Sequence, residues 1–314
     1  MKKVLITTTA LVMTAGVAAA EVSVGGDGRM GFESNAGTNG DLQFESRIRI
    51  SFSASGETDA GLSFGGSIRA DNSGGGAAGT DGSVFVEGTF GKISMGDVAG
   101  APEAAVGDLS GVGMTGAGDF NEFVYLSNNP GLTTIIDTAG AGTGENARQA
   151  ARWDYTTGDL GIHVSSDQIS GEVDAYGIAV TYSAGDFSFG LGHEDISDAA
   201  YSADHTIGQV TGSFGDATVK AIYGSADLNG ADFEQMGLSV DYVSGATTLT
   251  AYYRTVEVDA LDGDVFGVGV AYDLGGGASL KAGWADGDDV NPVSATFGDA
   301  LADPSYDFGI TMSF

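Results

Sequence analysis

The chain has 314 residues, of which 43 are acidic and 12 basic, and its formal net charge is −31 at pH 7. A chain this acidic lacks the basic face that nucleic-acid binding requires. It has no cysteine, which excludes a disulfide framework and a thiolate metal site. Its carboxylates could hold a hard cation such as calcium. Composition alone fits both a secreted acidic β protein and a membrane β-barrel.

The first 20 residues predict a secretory signal peptide. Lys2 and Lys3 precede an apolar run over residues 4–17, and residues 18–20 supply an A-x-A cleavage site before Glu21. We expect residues 21–314 to form a single β-barrel domain, on the strand pattern described next. Two of the 12 basic residues leave with the peptide, so 10 remain against 43 acidic residues and the formal charge becomes −33.

Alternation with a period of two residues runs through the rest of the chain. In the first strands, apolar side chains such as Ile48 and Ile50 alternate with charged ones such as Arg47 and Arg49. The chain ends in the same way, on the aromatic residue Phe314. We count 16 such segments. An even number of antiparallel strands closes a sheet without edges, as a bilayer requires, so we predict an all-β, 16-stranded antiparallel transmembrane β-barrel.

The connections are predicted to alternate in length, with seven short turns on one side and eight longer polar loops on the other. Short inner turns and long outer loops are typical of outer-membrane barrels. The predicted loops cover residues 33–41, 72–82, 98–146, 166–173, 195–204, 225–233, 257–264 and 286–303.

Aromatic residues are predicted to form a girdle at the membrane interface beside the short turns. The eight residues assigned to it are Phe90, Tyr155, Tyr182, Phe187, Phe214, Tyr242, Tyr272 and Tyr306.

The ten remaining cations all fall on the polar parity of their strands, and four of them lie on three consecutive strands. A charge facing lipid costs about 2–4 kcal/mol at the bilayer midplane, so these side chains are expected to face the lumen. We predict that Arg29, Arg47, Arg49 and Arg69 form a basic patch on one wall of the pore. The other cations are Lys92, Arg148, Arg152, Lys220, Arg254 and Lys281.

The third loop, residues 98–146, is too long for a simple connection. It carries acidic residues, among them Glu103, Asp108, Asp119, Glu122 and Asp137, and no lysine or arginine. We expect it to fold into the lumen against the basic patch, which would place a transverse field across a narrowed pore. A solvated acidic cap is the alternative.

Patterns that resemble catalytic or metal sites are weak. Residues 61–65 match G-x-S-x-G, but inside an alternating strand rather than at a strand-to-helix turn. The three histidines, His163, His193 and His205, lack metal-ligand spacing. No catalytic constellation is visible, and no enzyme activity is expected.

The chain resembles the trimeric general-diffusion porins of Gram-negative bacteria, of the Rhodobacter type. The most specific stretch is Phe90-Gly91-Lys92-Ile93-Ser94-Met95-Gly96-Asp97, which leads into the long acidic loop. Further similarity lies at residues 28–31, 58–65, 81–86, 103–109 and 272–279 and at the terminal Phe314.

This resemblance implies a homotrimer whose third loop enters the barrel and forms an eyelet. Glu103 and Asp108 would then lie on the acidic loop side, beside the acidic Asp119 and Glu122, and the four arginines on the basic wall. Some family members hold calcium near this loop, so the resemblance makes calcium possible here, although no ligands are assigned and we expect no required cofactor. After Gly118 the loop departs from the family pattern, so pore size and selectivity do not follow from the resemblance.

We therefore predict an outer-membrane porin that passes small hydrophilic solutes and ions by diffusion, with a weak preference for cations. The expected partners are outer-membrane lipid and two further copies of the chain, and the resemblance implies an interface near strands 1–5 and the second loop. A secreted acidic calcium-binding or adhesive β protein is the alternative, and a barrel hydrolase is a third class.

Overall fold

The structure is a computed structural model that describes residues 21–34, 40–73, 76–79, 82–126, 149–169, 173–197, 202–228, 230–259, 261–287 and 304–314. The predicted signal peptide, Asp137 and Arg148 lie outside these ranges. Within them, no helix has the length and apolar character needed to cross a membrane.

The described chain is almost entirely β-sheet with one short helix. The strands are β1 (Glu21–Ser34), β2 (Gln43–Glu57), β3 (Ser63–Ser73), β4 (Gly76–Gly79), β5 (Ser83–Gly88), β6 (Gly91–Gly96), β7 (Gln149–Thr157), β8 (Leu160–Ile169), β9 (Val173–Ala184), β10 (Phe187–Ser197), β11 (Ser202–Phe214), β12 (Ala217–Leu228), β13 (Ala231–Ser244), β14 (Thr247–Val258), β15 (Leu261–Gly275), β16 (Ala278–Gly287) and β17 (Ser305–Ser313). Helix α1 (Ala101–Val106) follows β6.

The sheet closes on itself as a 16-stranded antiparallel barrel. β1 pairs with β2 on one side and with β17 on the other, and every other pair joins neighbours in the chain. β4 and β5 pair with opposite ends of β3, so together they form one strand of the barrel. The predicted fold class and strand number are confirmed.

The alternation of side chains separates a lipid face from a lumen face. On β2, Ile48 and Phe52 point outward and are 43% and 45% exposed, while Arg47 and Arg49 point inward and form ion pairs. Large apolar side chains are exposed in this way on every side of the barrel. Because apolar surface is unfavourable in water, at about 25 cal/mol per Å², a surface of this kind belongs in a bilayer.

Four of the short turns follow one sequence rule. β7 and β8, for example, are joined by Gly158 and Asp159, and Gly158 has a φ of 60°. A positive φ at the first central residue is the type II′ geometry that suits hairpins and favours glycine. Glycine takes this position again at residues 185, 215 and 245.

Four of the predicted long loops are wrong. The sheet continues almost to the tips of these hairpins, where Ser197 pairs with Ser202 and Leu228 with Ala231. The predicted loops at 166–173 and 257–264 are likewise mostly strand. At these hairpin ends the outward residues become polar, as Ser197 and Ser202 are, while inward residues such as Ile196 and Ala203 are apolar and buried. The alternation therefore reverses its parity along the strand, and the reversal does not mark a strand end.

Tyr306 was assigned to the wrong end of the barrel. It pairs with Ser34 and Trp284 beside the long loops, whereas Tyr182 and Phe187 flank a short turn. Further aromatic side chains accompany Tyr306 at its end, including a Phe266–Trp284 contact with ring centroids 5.1 Å apart. Aromatic residues therefore lie at both ends of the lipid face.

Candidate functional site: a loop and an arginine wall inside the barrel

The apolar core of the molecule lies inside the barrel. Residues 99–126, here called the pore loop, contact side chains and glycines on the inner face of the strands. The buried loop residues, such as Leu109, Phe120 and Phe123, pack with inward-facing Ile207, Ile222 and Phe233 and further wall residues. The loop is therefore held by an apolar interface, which the sequence alternation did not reveal.

Helix α1 begins the pore loop and is bonded to the wall at both ends. The Ala101 backbone N–H donates to Ser165 Oγ at 2.9 Å. At the other end Lys220 Nζ donates to the carbonyls of Val106 and Asp108 at 2.6 and 2.7 Å. A cation is favourable there because the carbonyls at the end of a helix carry partial negative charge.

Inward-facing glycines give the pore loop room to approach the wall. A Cβ atom on Gly192 would lie 2.7 Å from Pro102 Cα, and one on Gly283 would lie 2.5 Å from Gly113 Cα. The same close approach occurs at Gly177, Gly190, Gly237, Gly269 and Gly309. These positions explain part of the high glycine content, since the loop backbone occupies the space of the missing side chains.

Buried polar side chains bind the backbone of the second half of the pore loop. Asp307 accepts the N–H groups of Met114 and Thr115 at 2.7 and 2.6 Å. Gln235 bonds both the N–H and the carbonyl of Val124. Glu194 accepts the Leu126 N–H at 2.6 Å.

The four predicted arginines lie together on the inner face of β1–β3, here called the arginine wall, but each has a carboxylate partner on that same wall. Arg29 pairs with Glu45 at 2.6 Å and Arg47 with Asp27 at 3.6 Å. Asp71 pairs with both Arg49, at 3.2 Å, and Arg69, at 2.7 Å. The four arginines thus lie together on one wall, and three carboxylates offset most of their charge.

The acidic residues of the pore loop differ in their surroundings. Burial raises the pKa of Glu103 to about 7, and the carboxylates of Asp108 and Glu194 add to the rise. Glu122 opens onto the lumen, yet partial desolvation inside the barrel, with Asp119 and Asp108 nearby, also raises its pKa to about 7. Both groups therefore change charge close to neutral pH.

Asp108 and Asp119 have different roles in this geometry. Asp108 accepts the Phe123 N–H at 2.7 Å and so bridges two parts of the pore loop; burial raises its pKa and this hydrogen bond lowers it. Asp119 is exposed with a φ of 55°. Partial desolvation raises the pKa of Asp119, and Arg29 and Arg47 of the arginine wall oppose the rise.

The expected attraction between acidic loop and basic wall does not hold the loop. Among the described residues, no ion pair joins a pore-loop carboxylate to the arginine wall. The loop docks instead on the strands across the lumen, through α1 against β8–β11 and through contacts that reach β17. Among the four predicted loop carboxylates, Asp119 alone has a pKa that the arginines of the wall lower.

Three basic side chains that were expected to face the open lumen instead donate hydrogen bonds to the backbone of the pore loop. Besides Lys220, Arg152 donates to the Ala99 carbonyl at 2.8 Å. Arg254 is buried, donates to the Phe120 carbonyl at 3.5 Å and lies 5.0 Å from the Phe123 ring. Parity showed that these side chains point inward, but not that a loop would cover them.

No group of three or more metal-ligating side chains occurs among the described residues. Ser63 of the G-x-S-x-G match begins β3, after a turn between strands and without a following helix. His163 pairs with Asp154 on the inner face, and His193 bonds Thr206 on the outer face.

The profile of the Gram-negative porin family matches residues 7–292. The chain belongs to this family. A porin from Rhodobacter capsulatus is 38% identical over 300 aligned residues, which cover 85% of this chain and 95% of that protein. A solved porin structure refined at 1.8 Å is 31% identical, covers 94% of this chain and 100% of that chain, and superposes with a TM-score of 0.77.

A structure of a variant of Rh. blastica porin has a TM-score of 0.64 at 20% identity, covering 93% of this chain and 100% of that chain, and shows the likeness of fold alone. As a Gram-negative porin, the chain forms a channel in the bacterial outer membrane. The comparisons give no support to the secreted calcium-binding or adhesive alternative.

Proposed function

We propose that this porin passes small hydrophilic solutes and ions through the space between the pore loop and the arginine wall. The observation that supports the proposal is the division of the lumen: the loop packs on one side, and paired charges line the other. A barrel of 16 strands is wide enough for an aqueous channel even when a loop occupies part of it. Diffusion through such a channel needs no energy source and no cofactor.

The proposed selectivity is weak and favours cations. The arginine wall is nearly neutralised by Asp27, Glu45 and Asp71, so the carboxylates of the pore loop decide the sign of the potential. Glu103, Asp108, Asp119 and Glu122 are the proposed acidic side of the constriction.

Single-channel recording in a planar bilayer under a salt gradient tests both statements. We expect large steps of conductance and a reversal potential on the cation side. A folded, detergent-extracted protein without conductance would contradict the open channel, and an anion-side reversal potential would contradict the selectivity.

We further propose a homotrimer in outer-membrane lipid. The outer face of β1–β6 carries a depression of about 550 Å³ lined by apolar and small residues, including Phe52, Ala54, Gly66 and Val84. Small residues allow close packing between membrane-embedded surfaces. A trimer resistant to SDS that dissociates on Ala54→Arg, with Ala251→Arg on β14 as the matched outward-facing control, would support this interface; dissociation by both or neither would oppose it.

We propose calcium only as an optional ligand of the carboxylates. We propose no catalytic role for the chain. Equal conductance before and after chelation is the expected result. A loss of conductance on chelation would show that the channel requires the metal, and turnover of an ester or peptide would revive the hydrolase class.

A further inference from the structure

The inner face of the barrel carries a polar depression of about 300 Å³ at the edge of the arginine wall. Hydroxyl and charged side chains from neighbouring strands line it, namely Ser51, Ser53, Ser67, Arg69, Ser83 and Asp97. Ser53 and Ser67 are exposed to the lumen, and none of the described residues that line the depression belongs to the pore loop. A solute that passes between the pore loop and the arginine wall therefore meets this surface.

The register of the strands arranges the serines as an array. Ser53 lies opposite Ser67, which in turn lies opposite Ser83 on the next strand. The Cβ atoms of directly opposed residues are about 5 Å apart, and alternate residues of one strand, such as Ser51 and Ser53, are about 7 Å apart. Four hydroxyl groups therefore lie within an area that one small polar ring can cover. The volume of the depression is at the lower end for ligand sites, which also suits a solute of one ring.

These four hydroxyl groups are open to a solute. Within the part of the chain that the structure describes, none of them makes a hydrogen bond to another protein group. A serine hydroxyl donates one hydrogen bond and has two lone pairs that accept. The hydroxyl groups of a solute have the same donor and acceptor capacity, so each partner can satisfy the other without a fixed direction.

The charges beside the serines have both signs, which disfavours an ion as the ligand. Arg69 donates to Asp71 at 2.7 Å and also interacts electrostatically with Asp97, whose side chain is exposed. An anion would be repelled by the two carboxylates, and a cation would be repelled by the guanidinium. A neutral solute avoids both costs, and one of its hydroxyl groups can donate a charge-assisted hydrogen bond to Asp97.

We propose that this depression, here called the serine site, binds neutral polyhydroxylated solutes such as monosaccharides and polyols. The inference rests on the proposed function, because an open channel brings the solute to the lumen. Each hydrogen bond to an exposed hydroxyl is weak, so we expect dissociation constants in the millimolar range. Binding of this kind concentrates the solute beside the constriction and makes its flux saturable, while the flux of ions stays proportional to their concentration.

The test is saturation-transfer difference NMR with D-glucose and the detergent-solubilised protein. We expect a saturable signal from the sugar. The double variant Ser53→Ala, Ser67→Ala should weaken glucose binding roughly fivefold for each hydroxyl removed. The matched control is Ser183→Ala, Ser188→Ala, a pair that also lies directly opposed on the inward parity, on β9 and β10. The control should bind glucose as the unaltered protein does.

Competition experiments identify the class of ligand. Triethylene glycol dimethyl ether is similar in size to glucose but has no hydroxyl group, so it should not displace the sugar. Inorganic phosphate should not displace it either. Displacement by phosphate would indicate an anion site, and displacement by the ether would indicate size alone; either result would overturn the proposal. Equal loss of binding in both double variants, or no saturable signal from glucose, would also overturn it.

Two further measurements keep the test decisive. If the serine variant does not assemble, Asp97→Asn replaces a charged acceptor with a neutral one and should weaken glucose binding roughly fivefold. An unchanged affinity would contradict the serine site. Ion conductance in a planar bilayer is recorded on the same samples. A conducting protein that does not bind glucose contradicts the serine site alone, whereas a folded protein without conductance contradicts the proposed channel.

Discussion

Asp307 binds Thr115 twice: its Oδ2 accepts the Thr115 backbone N–H at 2.6 Å and the Thr115 hydroxyl at 2.5 Å. The bonds join the last strand to a loop 192 residues earlier in the chain. Asp307 is 2% exposed, so this carboxylate exchanges its hydration for three hydrogen bonds from the pore loop, the third from Met114.

Asp307→Asn should loosen the tip of the pore loop. An amide offers one acceptor oxygen and places an NH₂ group against N–H donors, at a cost of about 1–3 kcal/mol for each buried group left unpaired. We expect faster proteolysis near residue 115 and noisier open-channel current. Asp262→Asn, at an exposed position on β15, is the control and should leave both unchanged.

Gly283→Ala should displace the pore loop, because its Cβ would lie 2.5 Å from the Gly113 backbone. Overpacking of this kind costs about 1–3 kcal/mol, and the measurement is the thermal unfolding of the detergent-solubilised protein together with its conductance. Gly25→Ala is the matched control, since its Cβ would make an ordinary 3.5 Å contact with the Phe314 carbonyl. Equal effects of the two substitutions would argue against the close approach of loop and wall.

Removing a wall carboxylate should change ion selectivity as much as removing an arginine, but in the opposite direction. Asp71→Asn leaves Arg49 and Arg69 without their shared partner, so the reversal potential should move toward anions. Arg49→Gln should move it toward cations by a similar amount. If the wall instead carried a large net positive charge, Asp71→Asn would change the reversal potential much less than Arg49→Gln. Comparing the two reversal potentials therefore distinguishes a nearly neutral wall from a strongly basic one.

Cation selectivity should fall as the pH is lowered through about 7. The pKa values of Glu103 and Glu122 are both raised to about 7, so both carboxylates are ionised above that pH and neutral below it. The reversal potential under a fixed salt gradient should therefore move toward anions between about pH 8 and about pH 6. The double variant Glu103→Gln, Glu122→Gln should show a flat profile over this range.

The same pKa shift predicts the pH dependence of stability. A raised carboxyl pKa means that the folded state binds a proton more tightly than the unfolded state, whose value is near 4.5. The favourable contribution is complete below 4.5 and is lost as the pH rises to about 7. Glu103→Gln should therefore raise the unfolding temperature at about pH 8, by roughly 2–4 °C per kcal/mol gained, and have little effect near pH 4.

Much of the fold could be read from the sequence because a bilayer imposes a strict pattern. Lipid accepts only apolar side chains, so the alternation around residues such as Ile48 and Ile50 persists through each membrane-crossing strand. Nearer the hairpin tips the outward residues are polar and the inward ones, such as Ile196, are apolar and buried, so the alternation reverses while the strands continue, as at Ser197 and Ser202. Strand number was therefore predictable, and strand ends were not.

The site was less predictable because parity reports only that a side chain points inward. Arg47 and Lys220 obey the same rule, yet one lies on the arginine wall and the other bonds the end of α1. Which strands the pore loop covers depends on contacts with residues that lie from 53 to 193 positions away in the chain. The inward-facing glycines, such as Gly192 and Gly283, could have indicated where the loop packs. A wall position without a side chain leaves space that another segment of the chain can occupy.

The bond between Asp307 and the pore loop links the position of the loop to the closure of the barrel. The docking surface of the loop extends from β8 to β17, and Asp307 belongs to β17, the strand that closes the barrel against β1. An unfinished barrel therefore lacks both its seam with β1 and the anchor for the loop tip. The same strand that seals the wall also fixes the loop, so closure of the barrel and completion of its interior are one event.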